Sequence, residues 1–239
     1  MYGFYPGFGY GYGMDPTIIL VLIGAVLSLW ASARMRGAFQ KYSGVRSLSG
    51  LTGADAAKKL LRSQGIFDVT VQPVKGQLTD HYDPRTKTVK LSKEVYDQTS
   101  IAAIGVAAHE CGHAMQDNTG YLPLKLRAAF VPAASLGSSL GMPLVIIGFL
   151  LGASPFITVG IWMFALAVLF QIITLPVEFN ASRRAVHLLD SVGILRGQEV
   201  DQTKKVLEAA ALTYVAAAAG SILQLLRLVL IFGGRRSDD

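Results

Sequence analysis

Four uncharged apolar runs dominate the pattern of hydrophobic and polar positions along the chain. They cover residues 17–33, 129–153, 156–177 and 209–226. A helix that spans a bilayer needs about 20 apolar residues, within a range of about 17–25. The second and third runs reach this length and are separated only by Ser154 and Pro155, so they predict a membrane hairpin. The first run is at the short end of the range. Because basic residues follow it rather than precede it, it predicts a retained N-terminal anchor and not a signal peptide.

The fourth run has a less regular pattern. It is rich in alanine, contains Gly220, and is interrupted by Arg227 before it continues to Phe232. This pattern is compatible with a membrane span, with a helix in the interface, and with a helix packed inside the protein. The sequence therefore predicts three to four transmembrane helices.

The segment between the first two runs has the patterns of a small α+β unit. Its first helix shows apolar residues on one face, with Thr52 or Asp55 near the cap and Gly65 at the end. Alternating residues predict strands, and residues 83–86 have the chemistry of a turn. The predicted elements are a helix at 52–65, strands at 69–74, 78–82 and 88–91, and a helix at 100–115.

Composition agrees with a membrane protein. Of the 239 residues, 51% are hydrophobic and only 16% are charged, whereas a soluble domain has about 25% charged residues. The single cysteine, Cys111, excludes a disulfide within the chain.

The positions of the basic residues predict the topology. Lysine and arginine are absent from residues 1–33 and from the hairpin turn, and they follow directly after the first and third runs. The positive-inside rule then puts the N-terminus outside and residues 34–127 and 183–208 in the cytoplasm of a multi-pass plasma-membrane protein. Arg235 and Arg236 depart from this rule if the fourth run spans the membrane.

The predicted helix at 100–115 carries an HExxH motif, His109-Glu110-Cys111-Gly112-His113. Residues four apart lie on one face of a helix, so the two imidazoles can bind one zinc ion. Glu110 lies one position round the helix, where its carboxylate can take a proton from the attacking water and pass it to the leaving amine. Half of the four histidines of the chain fall in this motif. Two histidines with structural partners and no metal are therefore the weaker interpretation.

A catalytic zinc site needs a third protein ligand, and the residues leave several candidates. Glu178 directly follows the third apolar run, where its alternative role is that of a solvated helix end. Asp117 lies one turn beyond His113 and is more consistent with a solvated or capping group. His187 and His81 are further alternatives.

Together these features resemble the YugP-type membrane zinc peptidases and, more distantly, the HtpX-like and CAAX-prenyl-protease-like membrane gluzincins. The resemblance covers nearly the whole chain. It rests on the anchor, the apolar hairpin, and segments 78–84, 105–116, 176–184 and 209–216. In HtpX-like enzymes a membrane hairpin separates HExxH from a Glu-aromatic-x-Ala-Asp motif whose glutamate is the third ligand. Glu178-Phe179-Asn180-Ala181 matches its first four positions, so the resemblance implies Glu178 as third ligand and one Zn²⁺ per chain.

The chain departs from that motif at Ser182, where HtpX-like enzymes have an aspartate that supports a ligand histidine. Asn180 or Asp190 is expected to take over this support. The group that stabilises the oxyanion is sought among His81, Tyr82, Tyr214 and Arg183.

The predicted fold is an α+β membrane protein with a gluzincin-like zinc-helix core, a small β-sheet and three to four transmembrane helices. The chain is divided into an aromatic and glycine-rich tail with its anchor at 1–33, a cytosolic metalloprotease part at 34–127, a transmembrane hairpin at 128–177, and a third-ligand segment with a C-terminal apolar helix at 178–239. The tail is interpreted as an aromatic belt at the membrane interface.

The predicted function is a membrane-bound zinc-dependent endopeptidase acting on membrane or membrane-proximal proteins, with Glu110 as general base. A peptide substrate is expected to add to the strand at 78–82. One alternative is a catalytically silent zinc-containing scaffold or adaptor, which has no use for Glu110; another is a zinc hydrolase that does not cleave peptides. The expected partners are a protein or peptide substrate and the lipid bilayer. No nucleic-acid partner is expected, and an oligomer is left open.

Overall fold

The structure, a computed structural model, describes residues 15–233. The interpretation of residues 1–13 and the topology of Arg235 and Arg236 lie outside these residues. In chain order the elements are α1 (Ile18–Ser43), α2 (Gly53–Ser63), β1 (Thr70–Val74), β2 (His81–Asp83), β3 (Thr88–Ser92), α3 (Lys93–Tyr96), α4 (Ile101–Asn118), α5 (Leu122–Leu150), α6 (Ser154–Ser191) and α7 (Gln198–Phe232).

Among residues 15–233, four helices, α1, α5, α6 and α7, are long and apolar enough to cross a membrane. α5 and α6 form the predicted hairpin, α7 packs against α6, and α1 packs against α7. The fourth apolar run therefore lies in a helix of the same kind as the other three. The number of candidate membrane helices is four, the upper end of the predicted three to four.

The contact between α1 and α7 explains why the fourth run contains Gly220 and is interrupted by Arg227. A Cβ atom added at Gly24 would lie 3.0 Å from the Cα atom of Gly220, so glycine allows the two helices to approach closely. Arg227, which interrupts the run, lies with Nη2 3.2 Å from Oδ2 of Asp15, just before α1. The two contacts lie at different levels of the helix pair, so α7 follows α1 along its length. This favours a span over an interfacial helix.

The part of the chain between α1 and α5 contains a three-stranded sheet in the order β1-β3-β2. β1 is parallel to the central strand β3, and β2 is antiparallel to it. α2 begins with a capping box between Thr52 and Asp55, the two residues that were expected near its cap, and Thr52 is the N-cap. The apolar faces of α2, β3, α4 and the last turns of α6 share one hydrophobic core. The sheet and the four long helices confirm the predicted fold class.

The edge strand β2 is shorter than predicted. Residues 78–82 were expected to form the strand, whereas Leu78 has a positive φ of 55° and the strand begins only at His81. The reason is Asp80, whose Oδ1 accepts a 2.7 Å hydrogen bond from the backbone N–H of Ser92 at the end of β3. At this position a hydrogen bond to the Asp80 side chain thus replaces the backbone hydrogen bonds that would continue the pairing of β2 with β3.

The HExxH helix α4 is the most buried helix of the molecule. Ser100 caps it by accepting a hydrogen bond from the N–H of Ala103, and the helix extends about one turn beyond the predicted end at 115. It contacts α2 and the sheet together with α6 and α7. α4 therefore connects the sheet-containing unit to the membrane helices.

The third apolar run and the segment after it form one continuous helix, α6, which passes through Pro176. Glu178 consequently lies inside a helix and is only 2% exposed, so the alternative of a solvated helix end is wrong. The four-segment division of the chain stays a prediction, and its boundary between 177 and 178 falls within α6.

Candidate metal centre

Three side chains that could hold a metal ion converge where α4 crosses α6. The Oε2 atom of Glu178 is 3.1 Å from Nε2 of His109 and 3.6 Å from Nε2 of His113. The two imidazole rings are edge to face, with centroids 4.8 Å apart. Ligands of a tetrahedral zinc ion at about 2.0–2.1 Å lie about 3.4 Å from one another. The donor atoms therefore have the chemistry that a zinc ion requires, and the two distances from Glu178 are close to this value, while all three donor atoms lie within 4.8 Å of one another.

The far nitrogen of His113 has a partner that fixes the tautomer. Nδ1 of His113 lies 3.0 Å from Oε1 of Gln116, which is completely buried. The amide nitrogen of Gln116 donates to the carbonyl of Val177 and to Oδ1 of Asn180. Since both of these atoms are acceptors, Oε1 must face His113 and accept a hydrogen bond from its Nδ1–H. Nε2 is left with a free lone pair directed towards Glu178.

The far nitrogen of His109 contacts Ser182, the residue at which the chain departs from the HtpX-like motif. Nδ1 of His109 is 3.0 Å from Oγ of Ser182. Ser182 itself therefore contacts the imidazole, and the expectation that Asn180 or Asp190 takes over this contact to His109 is wrong. Asn180 supports the other histidine through Gln116, whereas Asp190 is exposed near the end of α6.

Glu110 lies where two pockets meet. The α1–α7 pocket has a volume of about 180 Å³ and an apolar wall that includes Met35, Phe39, Val206, Leu207, Ala210 and Ala211. The β2–α5 pocket has a volume of about 280 Å³ and is lined in part by His81, Tyr82, Leu124, Arg127 and Val131. Both pockets are lined by Asp80, His109, Glu110, Glu178 and Tyr214. The site is therefore a cleft with Glu110 and the three donor side chains at its middle.

The four candidates for the oxyanion donor differ in their positions relative to the cleft. Tyr214 lines both pockets and His81 lines one of them. Tyr82 donates its hydroxyl hydrogen to Asp117 at 2.8 Å. Burial, and then this hydrogen bond, raise the pKa of the Tyr82 hydroxyl well above its usual value. The hydroxyl therefore keeps its proton, which it donates in the hydrogen bond to Asp117. Arg183 is exposed and lines neither pocket.

The alternative third ligands are not part of the donor group. Asp117 accepts the hydrogen bond from Tyr82 and is 3.4 Å from Nζ of Lys87, so it ties the sheet to α4 while 29% of its side chain stays exposed. His187 is exposed on α6. The Nδ1 atom of His81 contacts the carbonyl of Thr79 at 2.8 Å. Within residues 15–233, His109, His113 and Glu178 are the group that could hold a metal ion.

Sequence reasoning missed three contributors to this site. Gln116 orients His113, and Arg127 donates a 2.8 Å hydrogen bond to Oε1 of Glu178. Gly112 permits the helix crossing, because a Cβ atom there would lie 2.6 Å from the carbonyl oxygen of Ala181. Gln116 lies three residues after His113, which is a contact distance on a helix and was a usable signal. The other two depend on how α4, α5 and α6 cross.

Comparison with known proteins gives two matches. The sequence model of the family described as "Putative neutral zinc metallopeptidase" matches residues 17–233. The chain is similar to the "Putative membrane protease YugP" of Bacillus subtilis (strain 168), with 47% identity over 222 residues that cover 93% of this chain and 99% of the relative. No solved structure matches the chain.

Proposed function

The chain belongs to the neutral zinc metallopeptidase family that it matches over residues 17–233, and we propose that it is a membrane-bound zinc endopeptidase with Glu110 as general base. The family uses zinc, and His109, His113 and Glu178 form a group that could bind one ion. The observation that carries the proposal is the position of Glu110. It follows a donor residue on α4, is not itself one of the three donors, and lines both pockets of the cleft.

In this mechanism the three donor residues hold the ion, and Gln116 and Ser182 hold the two imidazoles with Nε2 available. Zinc, when bound, supplies Lewis-acid activation of the scissile carbonyl and of the attacking water. Glu110 accepts a proton from the water and delivers it to the leaving amine. Tyr214 is the best placed of the four oxyanion candidates, because it lines both pockets and carries a phenolic donor.

The cleft suggests how a peptide binds. β2 is an edge strand, since it pairs with β3 only on one side, and His81 and Tyr82 line the pocket that also contains His109 and His113. An extended peptide added to β2 would border the pocket that Glu110 lines. The α1–α7 pocket, at about 180 Å³, is smaller than the roughly 300–1,000 Å³ of small-molecule sites. It suits one apolar side chain of the peptide.

The level of the cleft relative to the apolar runs favours membrane-proximal substrates. Each of the four long helices contributes to the cleft close to the end of its apolar run. The contributing residues are Met35 on α1, Arg127 on α5, Glu178 on α6 and Ala210 on α7. A bilayer around these runs would therefore end at the level of the cleft. By the positive-inside rule this end is cytoplasmic and the hairpin turn is outside.

Cysteine labelling tests this orientation. Cys111, the only cysteine, is buried, and burial raises the pKa of its thiol, so the native protein has little reactivity. Ser154→Cys, exposed at the first residue of α6 beside the hairpin turn, is expected to react with a membrane-impermeant maleimide in intact cells. Lys58→Cys, exposed on α2, is expected to react only after the cells are permeabilised. The reverse pattern would contradict the proposed orientation.

Removing the metal tests the function. Treatment of the detergent-purified protein with a zinc chelator is expected to abolish casein cleavage, and added Zn²⁺ is expected to restore it, because the three donors act only through the ion. Cleavage that persists in the fully demetallated protein would contradict the proposal. Zinc-bound protein that cleaves neither casein nor membrane-tethered peptides would favour the silent scaffold. Hydrolysis of small esters without peptide cleavage would favour the other zinc hydrolase.

A further inference from the structure

The two carboxylate oxygens of Glu178 have different partners. Oε2 faces the imidazoles, at 3.1 Å from His109 and 3.6 Å from His113, while Oε1 accepts a 2.8 Å hydrogen bond from Nη1 of Arg127. We propose that Arg127 is a positioning residue of the metal centre, which holds Glu178 so that only one of its oxygens is presented to zinc. This inference rests on the proposed function, because it requires that the three donors bind the metal.

Burial makes the contact with Arg127 important. Glu178 is 2% exposed, and a carboxylate removed from water needs charged or hydrogen-bonded partners for both oxygens. A neutral imidazole that binds metal supplies no positive charge, whereas a guanidinium is always protonated. The charge-assisted hydrogen bond from Arg127 therefore compensates the oxygen that the metal group leaves free.

The position of Oε1 also affects the number of ligands around the metal. A catalytic zinc site keeps one position open for water or substrate. If both oxygens of Glu178 were free to turn towards the imidazoles, two-oxygen binding could occupy that position. With Oε1 on Arg127, the carboxylate contributes a single donor. Arg127 thus acts on the coordination number as well as on affinity.

Arg127 gives the membrane hairpin a role in the metal site. It lies on α5, the first helix of the hairpin, whereas His109 and His113 lie on α4 and Glu178 lies on α6. The same helix lines the β2–α5 pocket through Leu124 and Val131, which are three and four residues from Arg127. The position of α5 is therefore linked directly to a ligand of the metal.

The variant Arg127→Gln tests the proposal through metal binding rather than activity. Chelator competition is expected to show zinc affinity about 10–100-fold weaker than in the wild type, as for other residues that orient a metal ligand. With Co²⁺ in place of zinc, the visible absorption is expected to weaken, because higher-coordinate Co²⁺ absorbs less than four-coordinate Co²⁺. Lys125→Gln removes an exposed cation from the same turn of α5 and is expected to change neither quantity.

Arg127→Lys keeps the cation but has a shorter side chain, and it is expected to restore part of the affinity and of the absorption. Wild-type affinity and an unchanged Co²⁺ spectrum in Arg127→Gln would overturn the inference while leaving the proposed function intact. If Arg127→Gln does not accumulate, Arg127→Lys decides: wild-type values for both quantities overturn the inference, and reduced values support it. A wild-type protein that binds no zinc would instead contradict the proposed function.

Discussion

Replacing Glu110 with glutamine is expected to lower the rate of peptide cleavage by about 10²–10⁴-fold, which is the usual contribution of a general acid–base group. The amide has nearly the shape of the carboxylate but cannot accept the proton of the attacking water. Glu110 is not one of the three donors of the metal group, so zinc content is expected to stay at the wild-type level. The measurement is kcat on casein or a fluorogenic peptide, with zinc determined on the same sample.

The matched control is Glu208→Gln. Glu208 lies on the surface of α7, where its side chain is 63% exposed and pairs only with Lys204 at 3.8 Å. This variant is expected to retain both cleavage and zinc. Cleavage by Glu110→Gln at the rate of the control would show that another group is the base.

Gly112→Ala is expected to disrupt the metal centre although it changes no donor. The added Cβ atom would lie 2.6 Å from the carbonyl oxygen and 3.0 Å from the Cα atom of Ala181. These are backbone atoms of α6, so no side-chain rotation can relieve the overlap, and α4 and α6 must move apart. His113 follows Gly112 directly and Glu178 is one turn before Ala181, so the donors move apart with the helices.

A displacement of about 1 Å in a catalytic site can cost about 10²-fold in rate. Gly112→Ala is therefore expected to lose at least that much activity, with a parallel loss of zinc affinity in chelator competition. The control is Gly37→Ala on α1, where a Cβ atom would have no neighbour within 4 Å. It is expected to leave zinc and activity unchanged and to stabilise the helix by about 0.4–1 kcal/mol. Wild-type zinc affinity in Gly112→Ala would contradict the tight crossing of α4 and α6.

The sequence predicts the elements that are determined by residues near one another in the chain. Apolar length indicates the four long helices, alternation indicates β1 and β3, and the spacing of His109 and His113 on one helix predicts that they share a face. The structure brings Glu178 to these histidines, as the resemblance implied. Except for Glu178, which is 69 residues from His109 and was expected only from the resemblance, each of these features depends on residues that are close together in the chain.

The features of the fold and the site that the sequence does not predict depend on contacts between segments that are distant in the chain. The start of β2 is set by Asp80 and Ser92, which are 12 residues apart. Arg127 and Glu178 are in contact but are 51 residues apart in the sequence, one before and one after the two apolar runs of the hairpin. No periodicity links them. Gly112 is informative only when the backbone of α6 is known to lie against it. Ser182 shows that an apparent departure from a motif can leave a contact to the ligand histidine in place.

The most direct test of the central claim is the zinc content of the protein, purified in detergent without chelator, beside the variant Glu178→Ala. The account predicts about one zinc ion per wild-type chain and strongly reduced zinc in the variant, because Glu178 supplies one of three donors and is buried between the two histidines. A wild-type protein without metal, or a variant that retains the full complement, would contradict a zinc centre built from His109, His113 and Glu178.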